Sequence, residues 1–295
     1  MIDPLSVLAA NLSEDLARIT RLYRRFPAYL DDFLAELLGK DTAAIGEEEL
    51  GLSFRQQKEE LTARLTEEGV TPLSRELTAA LSPVLAAYTA KVIAETREVE
   101  GYIESVTDAP CKVAYFRNTY SDLAYSRFAE GLTDPTVLYA GSLAAACEEV
   151  FSERADLVIL PVESDRDGEL STVKKLILQY ELSPVYYIRI TTRDGEAIRF
   201  GLFASTPLIP EGEIDGVTLL LFSDNSGDLT SFLTETDFFG ISLAALEVAE
   251  PTGGFRYTWR ITLSITDQTV LTPLRILLQC NHPHHLLCGL FRNLS

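Results

Sequence analysis

A buried-looking strand runs into a proline, a lone glutamate and a closing glycine in Leu157-Val-Ile-Leu-Pro-Val-Glu-Ser-Asp-Arg-Asp-Gly168. The apolar run has almost no polar alternation, the pattern of a strand covered on both faces. A carboxylate at the carboxyl end of such a strand stands where open α/β sheets bind their ligands. Glu163 is therefore the first candidate for a cleft-facing residue; its bland alternative is a solvated loop carboxylate. A second group is Arg18, Arg21 and Arg25, spaced i, i+3 and i+7, with Lys40 further on. An arginine face stands out on a chain that is otherwise very acidic. A solvated basic face is the simpler account of it.

All three histidines, His282, His284 and His285, lie between Cys280 and Cys288. Imidazole and thiolate at such spacing can bind zinc. Alternate residues from His285 onward must point to opposite faces of a final strand, however. The cluster reads as a loop and strand end, and the sequence implies no metal and no cofactor.

The elements that would position these residues fall into three zones. Residues 1–107 read as long amphipathic helices: Asp3-Pro4 opens one, Ser53-Phe-Arg-Gln56 has capping-box spacing, and Leu77, Leu81, Val84, Tyr88, Val92 and Val99 form a stripe. Such stripes call for a helical bundle, completed by a second copy of the chain. Residues 108–212 alternate strand with helix: strands at Val113–Phe116, Thr136–Tyr139 and Asp156–Pro161, helices at Tyr120–Glu130, Leu143–Glu153 and Leu170–Leu178. That alternation predicts a mostly parallel sheet. Residues 213–295 read as βαββαβ, a ferredoxin-like unit. The fold class is multidomain, α and α/β.

Composition narrows the partners. The 295 residues carry a net charge of −19, which disfavours nucleic acid and anionic membrane, since both reward a basic footprint. No apolar run approaches the roughly 18 residues of a membrane span, and the N-terminal residues lack the pattern of a signal peptide. Four scattered cysteines are too few to staple a fold of this length. A cytoplasmic location and a homodimer are expected.

Several of these segments together resemble the bifunctional chorismate mutase–prephenate dehydratase family of phenylalanine biosynthesis. Val113-Ala-Tyr-Phe-Arg-Asn-Thr-Tyr-Ser121 is similar to the dehydratase opening, a strand followed by Gly-Pro-x-Gly-Thr-Tyr/Phe-Ser: Thr119, Tyr120 and Ser121 match, and the glycine-proline turn is shortened to Arg117-Asn118. Pro161 to Gly168 resembles Pro-Ile-Glu-Asn-Ser-x-x-Gly, with Pro161, Glu163 and Gly168 matching and Ser164 in place of asparagine. Glu196-Ala-Ile-Arg-Phe200 aligns with Asn-x-Thr-Arg-Phe: Arg199 and Phe200 match, but Ile198 stands where the family has its catalytic threonine. Asp224-Asn-Ser-Gly-Asp-Leu229 resembles the ligand loop of an ACT domain, and Ile241 to Glu247 the strand ending in Glu-Ser-Arg-Pro, of which only Glu247 matches.

The resemblance implies a chorismate mutase-like domain over 1–107, a single prephenate dehydratase-like (periplasmic-binding-like) α/β lobe over 108–212, and an ACT domain over 213–295. Gly168 and Arg199 are separated by one helix and one strand, so a second dehydratase lobe has no room. Isoleucine at 198 offers no hydroxyl to the chemistry. The implied function is regulatory binding of a small amino acid or aromatic-pathway metabolite, with dehydration lost. The alternatives are an active mutase or dehydratase, and a scaffold for an active pathway enzyme. The mutase reading would use Arg18, Arg21 and Arg25, with Glu100 near a family glutamine or glutamate; Gln56 to Glu60 is acidic where the family is basic. The ACT reading places an amino acid's carboxylate on the free amides of Gly227, Asp228 and Leu229 at a helix start. Its ammonium group would meet Asp224 or Glu247, with Asn225 in the same loop.

Overall fold

In a computed structural model the described residues are 105–106, 109–251, 253–282 and 284–294, without the side chains at 238, 272, 273, 276, 279 and 280. The proposed helical domain, with Arg18, Arg21, Arg25, Lys40 and Glu100, lies outside the described residues. The chain divides into two units, Met1–Glu98 with Leu271–Pro283, and Val99–Val270 with His284–Ser295. Of the first, only residues 271–282 are described; their helix, Leu271–Asn281, buries Leu274, Leu277 and Leu278.

The second unit is built on one ten-stranded sheet. Its first half starts with β1 (Lys112–Phe116), α1 (Thr119–Phe128), β2 (Thr136–Ala140), α2 (Leu143–Phe151) and β3 (Leu157–Ser164). A two-residue strand, β4 (Gly168–Glu169), folds back on β3, and α3 (Ser171–Gln179), β5 (Ser183–Thr191) and β6 (Ala197–Ala204) follow. The turn into β4 needs a left-handed residue, and Gly168 has φ +67°, a conformation a Cβ would strain.

The expected mostly parallel sheet needs correction. β1 pairs in parallel with β2 and β3, but β6 pairs antiparallel with both β3 and β5. The physical reason is the connection. β5 and β6 are joined by the tight Thr192–Glu196 turn, and a short loop can only return the chain antiparallel. The α3 crossover still leaves β3 and β5 parallel, with β6 inserted between them.

Side chains alternate through this sheet into two cores. Val113, Tyr115, Leu157, Ile159, Phe200 and Leu202 pack with Ala124 and Phe128 of α1. Ala114, Val158, Leu160 and Phe203 pack on the opposite face with Ala146, Cys147 and Val150 of α2 and Val173 of α3. The helix starts are local. Asn118 caps α1 by accepting from Tyr120 N and Ser121 N, and Ser121 Oγ accepts from Asn118 N in return.

The second half of this unit comprises β7 (Gly216–Ser223), α4 (Gly227–Phe238), β8 (Ser242–Val248), β9 (Tyr257–Ser264) and β10 (His285–Leu294); the helix Leu271–Asn281, between β9 and β10 in the chain, belongs to the first unit. The strand order β10-β7-β9-β8 is antiparallel throughout, as the βαββαβ chain order of the sequence reading requires. β10 also pairs in parallel with β5, through Arg292–Tyr186, Asn293–Tyr187 and Leu294–Ile188. That pairing fuses the two halves into one continuous surface.

Candidate functional site

Glu163 is not in a loop; it lies within β3 and pairs with Glu169 on one side and Arg199 on the other. Its direction is set by a bulge. Pro161 faces Phe200 and Glu163 faces Arg199, so Val162 is an extra residue without a partner on β6. Strict alternation would send Glu163 to the same face as Pro161, toward α1. The inserted residue shifts the alternation by one, and Val162 and Glu163 both reach the opposite face, where they line one groove.

That groove, about 550 Å³ in volume, runs from α3 across β5 and β6 to β8 and β9. The size is in the range of small-molecule sites, roughly 300–1,000 Å³. Its aromatic centre is Tyr187, whose ring meets Phe203 edge-on at 5.9 Å and Phe291 edge-on at 5.0 Å. The Arg199 guanidinium lies 4.2 Å from the centre of the Tyr187 ring, a cation–π contact. Gly201 makes this stack possible: a Cβ there would stand 2.5 Å from Phe203 Cε2 and 2.9 Å from Tyr187 Cε1.

Charge around this centre is mixed. Three cations, Lys174, Arg199 and Arg260, face four carboxylates, Glu163, Glu169, Asp215 and Glu247. Arg199 Nη1 lies 4.0 Å from Glu163 Oε2, and Arg199 Nη2 donates to Asn293 Oδ1 at 3.0 Å. Lys174 pairs with Glu169 and Glu247, tying α3 to β8. The Glu247 carboxylate is the main reason the Lys174 ammonium is held above its usual range. Asp215 accepts from the Asn293 backbone N–H. Burial pushes the Tyr187 phenol up to about 12, against the pull of the Arg199 and Arg260 charges.

The residues singled out in the sequence separate into groups. Glu163, Arg199 and Glu247 come together in the groove. Phe200 and Ile198 belong to the opposite face and pack in the α1 core. Thr119 and Ser121 start α1, where Ser121 Oγ donates to Phe116 O at 2.8 Å and serves the helix cap. Neither lines the groove. Ser164 takes a structural part: its Oγ accepts from Asp167 N at 3.0 Å and shapes the turn to Gly168.

The Asp224–Leu229 loop differs from expectation. Its amides are not all free: Gly227 N donates to Asn225 Oδ1 at 3.0 Å and Asp228 N to Asn225 O at 3.2 Å. Asp224 Oδ1 accepts from Arg256 N, and Asp228 bonds the Ser223 hydroxyl. The short polar side chains of the loop close on their own backbone, as Asn and Asp do in turns. Glu247, proposed to meet an ammonium group, meets that of Lys174 instead.

In the histidine segment, His284 lies 4.9 Å from the Phe255 ring and Cys288 Sγ donates to Leu286 O. Among the described residues no group of three metal-ligating side chains assembles, and no helix is long and apolar enough to cross a membrane.

Lys174, Tyr187 and Arg260 were not singled out in the sequence. One signal was available: in Tyr257-Thr-Trp-Arg-Ile-Thr-Leu-Ser264 the apolar Trp259, Ile261 and Leu263 alternate with Arg260, Thr262 and Ser264. That alternation puts Arg260 on a polar sheet face. Nothing local says that the face lines a groove with Tyr187.

No protein-family model and no curated protein matches the chain. Solved structures of similar shape include prephenate dehydratase from Streptococcus mutans, at TM-score 0.45 and 20% identity over 63% of this chain and 100% of that one. Prephenate dehydratase from Arthrobacter aurescens in complex with L-Phe gives TM-score 0.45 and 16% identity over 61% and 89%. GqqA, described as a novel type of quorum quenching acylase, gives TM-score 0.44 and 22% identity over 61% and 94%.

Proposed function

We propose that this protein is a relative of the chorismate mutase–prephenate dehydratase proteins, linked to phenylalanine biosynthesis, that binds a small amino acid or aromatic-pathway metabolite and does not dehydrate prephenate. The same reading assigns residues 1–107 to a mutase-like helical domain, 108–212 to a truncated dehydratase-like lobe and 213–295 to an ACT domain. It also makes the assembly a homodimer. The observation that carries the reading is the fate of the family-matching residues. Glu163 and Arg199 keep a shared groove with Glu247, whereas Ile198, at the threonine position, is packed into the core on the other face. Residues 169–196 supply one helix and one strand, and the strand joins the same sheet. A groove with paired charges and an aromatic centre suits binding; a hydroxyl for the dehydration step is lacking at 198.

The test is paired. Purified full-length protein should convert prephenate to phenylpyruvate no faster than the uncatalysed rate, and calorimetric titration with phenylalanine, tyrosine and tryptophan should show millimolar to micromolar binding. Ile198→Thr alone should not restore turnover, because its hydroxyl would lie among α1-face core residues. Turnover within tenfold of a two-lobed dehydratase would overturn the reading, as would the absence of heat with every amino acid at high concentration.

A further inference from the structure

One ion pair spans the groove from wall to wall. Lys174 comes from α3 and Glu247 from β8, and their charged groups meet. Three strands, β10, β7 and β9, separate β5 from β8 in the sheet, and Phe291, Thr218 and Thr262 of those strands line the groove. The bridge therefore crosses over the sheet face and does not run along a ladder. Both partners have a second place to go on their own wall. The Lys174 ammonium also lies 3.1 Å from Glu169 of β4, just before α3. Glu247 stands directly opposite Arg260 in the β8–β9 ladder, and both line the groove. Opposite charges at facing positions of an antiparallel pair attract, their Cβ atoms roughly 5 Å apart. Lys174 and Glu247 are about one-third exposed, 32% and 34%, so water reaches the bridge, and ion pairs at wet sites break at small cost.

We propose that Lys174 and Glu247 form a partner-exchange gate over the groove: closed when Glu247 bridges to Lys174, open when Glu247 turns to Arg260 and Lys174 keeps Glu169. The open arrangement holds two neutral pairs, each confined to one wall, so opening strands no charge over the groove. Only side chains need to move, and exposed side chains change rotamer within nanoseconds. The strand that carries Glu247 suits the task. β8 ends the sheet and pairs with β9 alone, and all its other residues are exposed. Two discrete pairings of similar free energy make a switch that a bound molecule biases by favouring one of them. That the gate controls entry of a ligand rests on the ligand-binding reading above; the exchange of partners rests on the positions of the four charges.

The experiment uses the full-length protein and needs no ligand. A water-soluble carbodiimide joins a carboxylate to an amine that touches it, and mass spectrometry of the linked peptides names the two residues. Wild type should give the Lys174–Glu247 linkage. In Arg260→Lys the introduced lysine keeps the charge and adds an amine, so Glu247 should be found joined to Lys174 in some molecules and to the new lysine in others. Access is read separately by the rate at which a bulky maleimide labels the thiol of Thr262→Cys on the groove floor. Adding Lys174→Met should speed that labelling about twofold or more. Adding Arg260→Gln removes the open pairing and should slow it, whereas a bridge that merely props α3 against β8 would leave it unchanged. Circular dichroism matching wild type shows that each variant is folded.

No Lys174–Glu247 linkage in wild type, or no linkage of Glu247 to the lysine of Arg260→Lys, overturns the gate. So does a labelling rate that neither Lys174→Met nor Arg260→Gln changes. If wild type binds L-phenylalanine but the linkages and labelling rates fail in this way, the gate fails and the regulatory reading stands. If both linkages form and the two variants shift labelling in opposite directions, yet no amino acid binds, the gate stands and the regulatory reading fails.

Discussion

Replacing Gly201 by alanine should destabilise the protein, and the structure gives both the sign and the size. Gly201 lies in β6 between β3 and β5 and is absent from the residues of positive φ. Alanine can therefore adopt its backbone, and restricting the unfolded chain would by itself stabilise by about 0.4–1 kcal/mol. The added methyl, however, would stand 2.5 and 2.7 Å from Phe203 and 2.9 Å from Tyr187. Those rings have little freedom to yield. Phe203 is fully buried, and Tyr187 is held edge-on between Phe203 and Phe291 beneath Arg199. Overpacking of a well-filled core costs about 1–3 kcal/mol, so the net loss should be about 1–2 kcal/mol. For a unit of this size that corresponds to a fall in melting temperature of roughly 2–8 °C. Thermal melts followed by near-ultraviolet circular dichroism would report both the loss and the disturbed aromatic signal. A Gly201→Ala protein melting at or above wild type would refute the claim that the three rings are locked.

Other outcomes follow from single contacts. Asn118→Ala removes the acceptor for Tyr120 N and Ser121 N at the start of α1 and should cost about 1 kcal/mol, measurable as a lower urea midpoint at unchanged slope. The Tyr187 phenol, raised to about 12 by burial, stays protonated when an unfolded tyrosine, near pH 10, has ionised. Its contribution to stability is thus complete below pH 10 and is lost as pH rises from about 10 to 12. Tyr187→Phe should lose stability less steeply over that window, and an identical slope in chemical melts would contradict the burial. Burial also raises Cys111 and Cys147 to about 11. Mass spectrometry after iodoacetamide treatment at mildly alkaline pH should find both unmodified in the native protein and modified in urea.

The elements of the second unit were largely legible because each had a local cause. The Asn118 cap opens α1 and the Ser142 cap opens α2. The unalternating run from Leu157 is β3, buried on both faces, and the βαββαβ order of the last zone recurs in the strand order of its sheet. The motif around Glu163 pointed to a residue that does reach a groove. Strand direction was less accessible. The α3 crossover suggested parallel neighbours, and only the placement of β6 between β3 and β5 made those contacts antiparallel.

Sequence alone therefore determined what depends on neighbours within a few residues: caps, strand alternation, the Gly168 turn and the types of charged residue available for a site. It misjudged the Asp224–Leu229 loop because a helix start leaves amides free only until side chains such as Asn225 close on them. Tertiary structure decided which charges meet. One extra residue, Val162, reverses the direction of Glu163, and a slip of one position in a strand exchanges its two faces. The parallel contact of β10 with β5 joins the two halves of the sheet, so that Tyr187 and Arg260, 73 positions apart in the chain, line the same groove. No local pattern encodes such a meeting, because it depends on register between strands that the chain reaches only after the intervening helices and turns have been laid down.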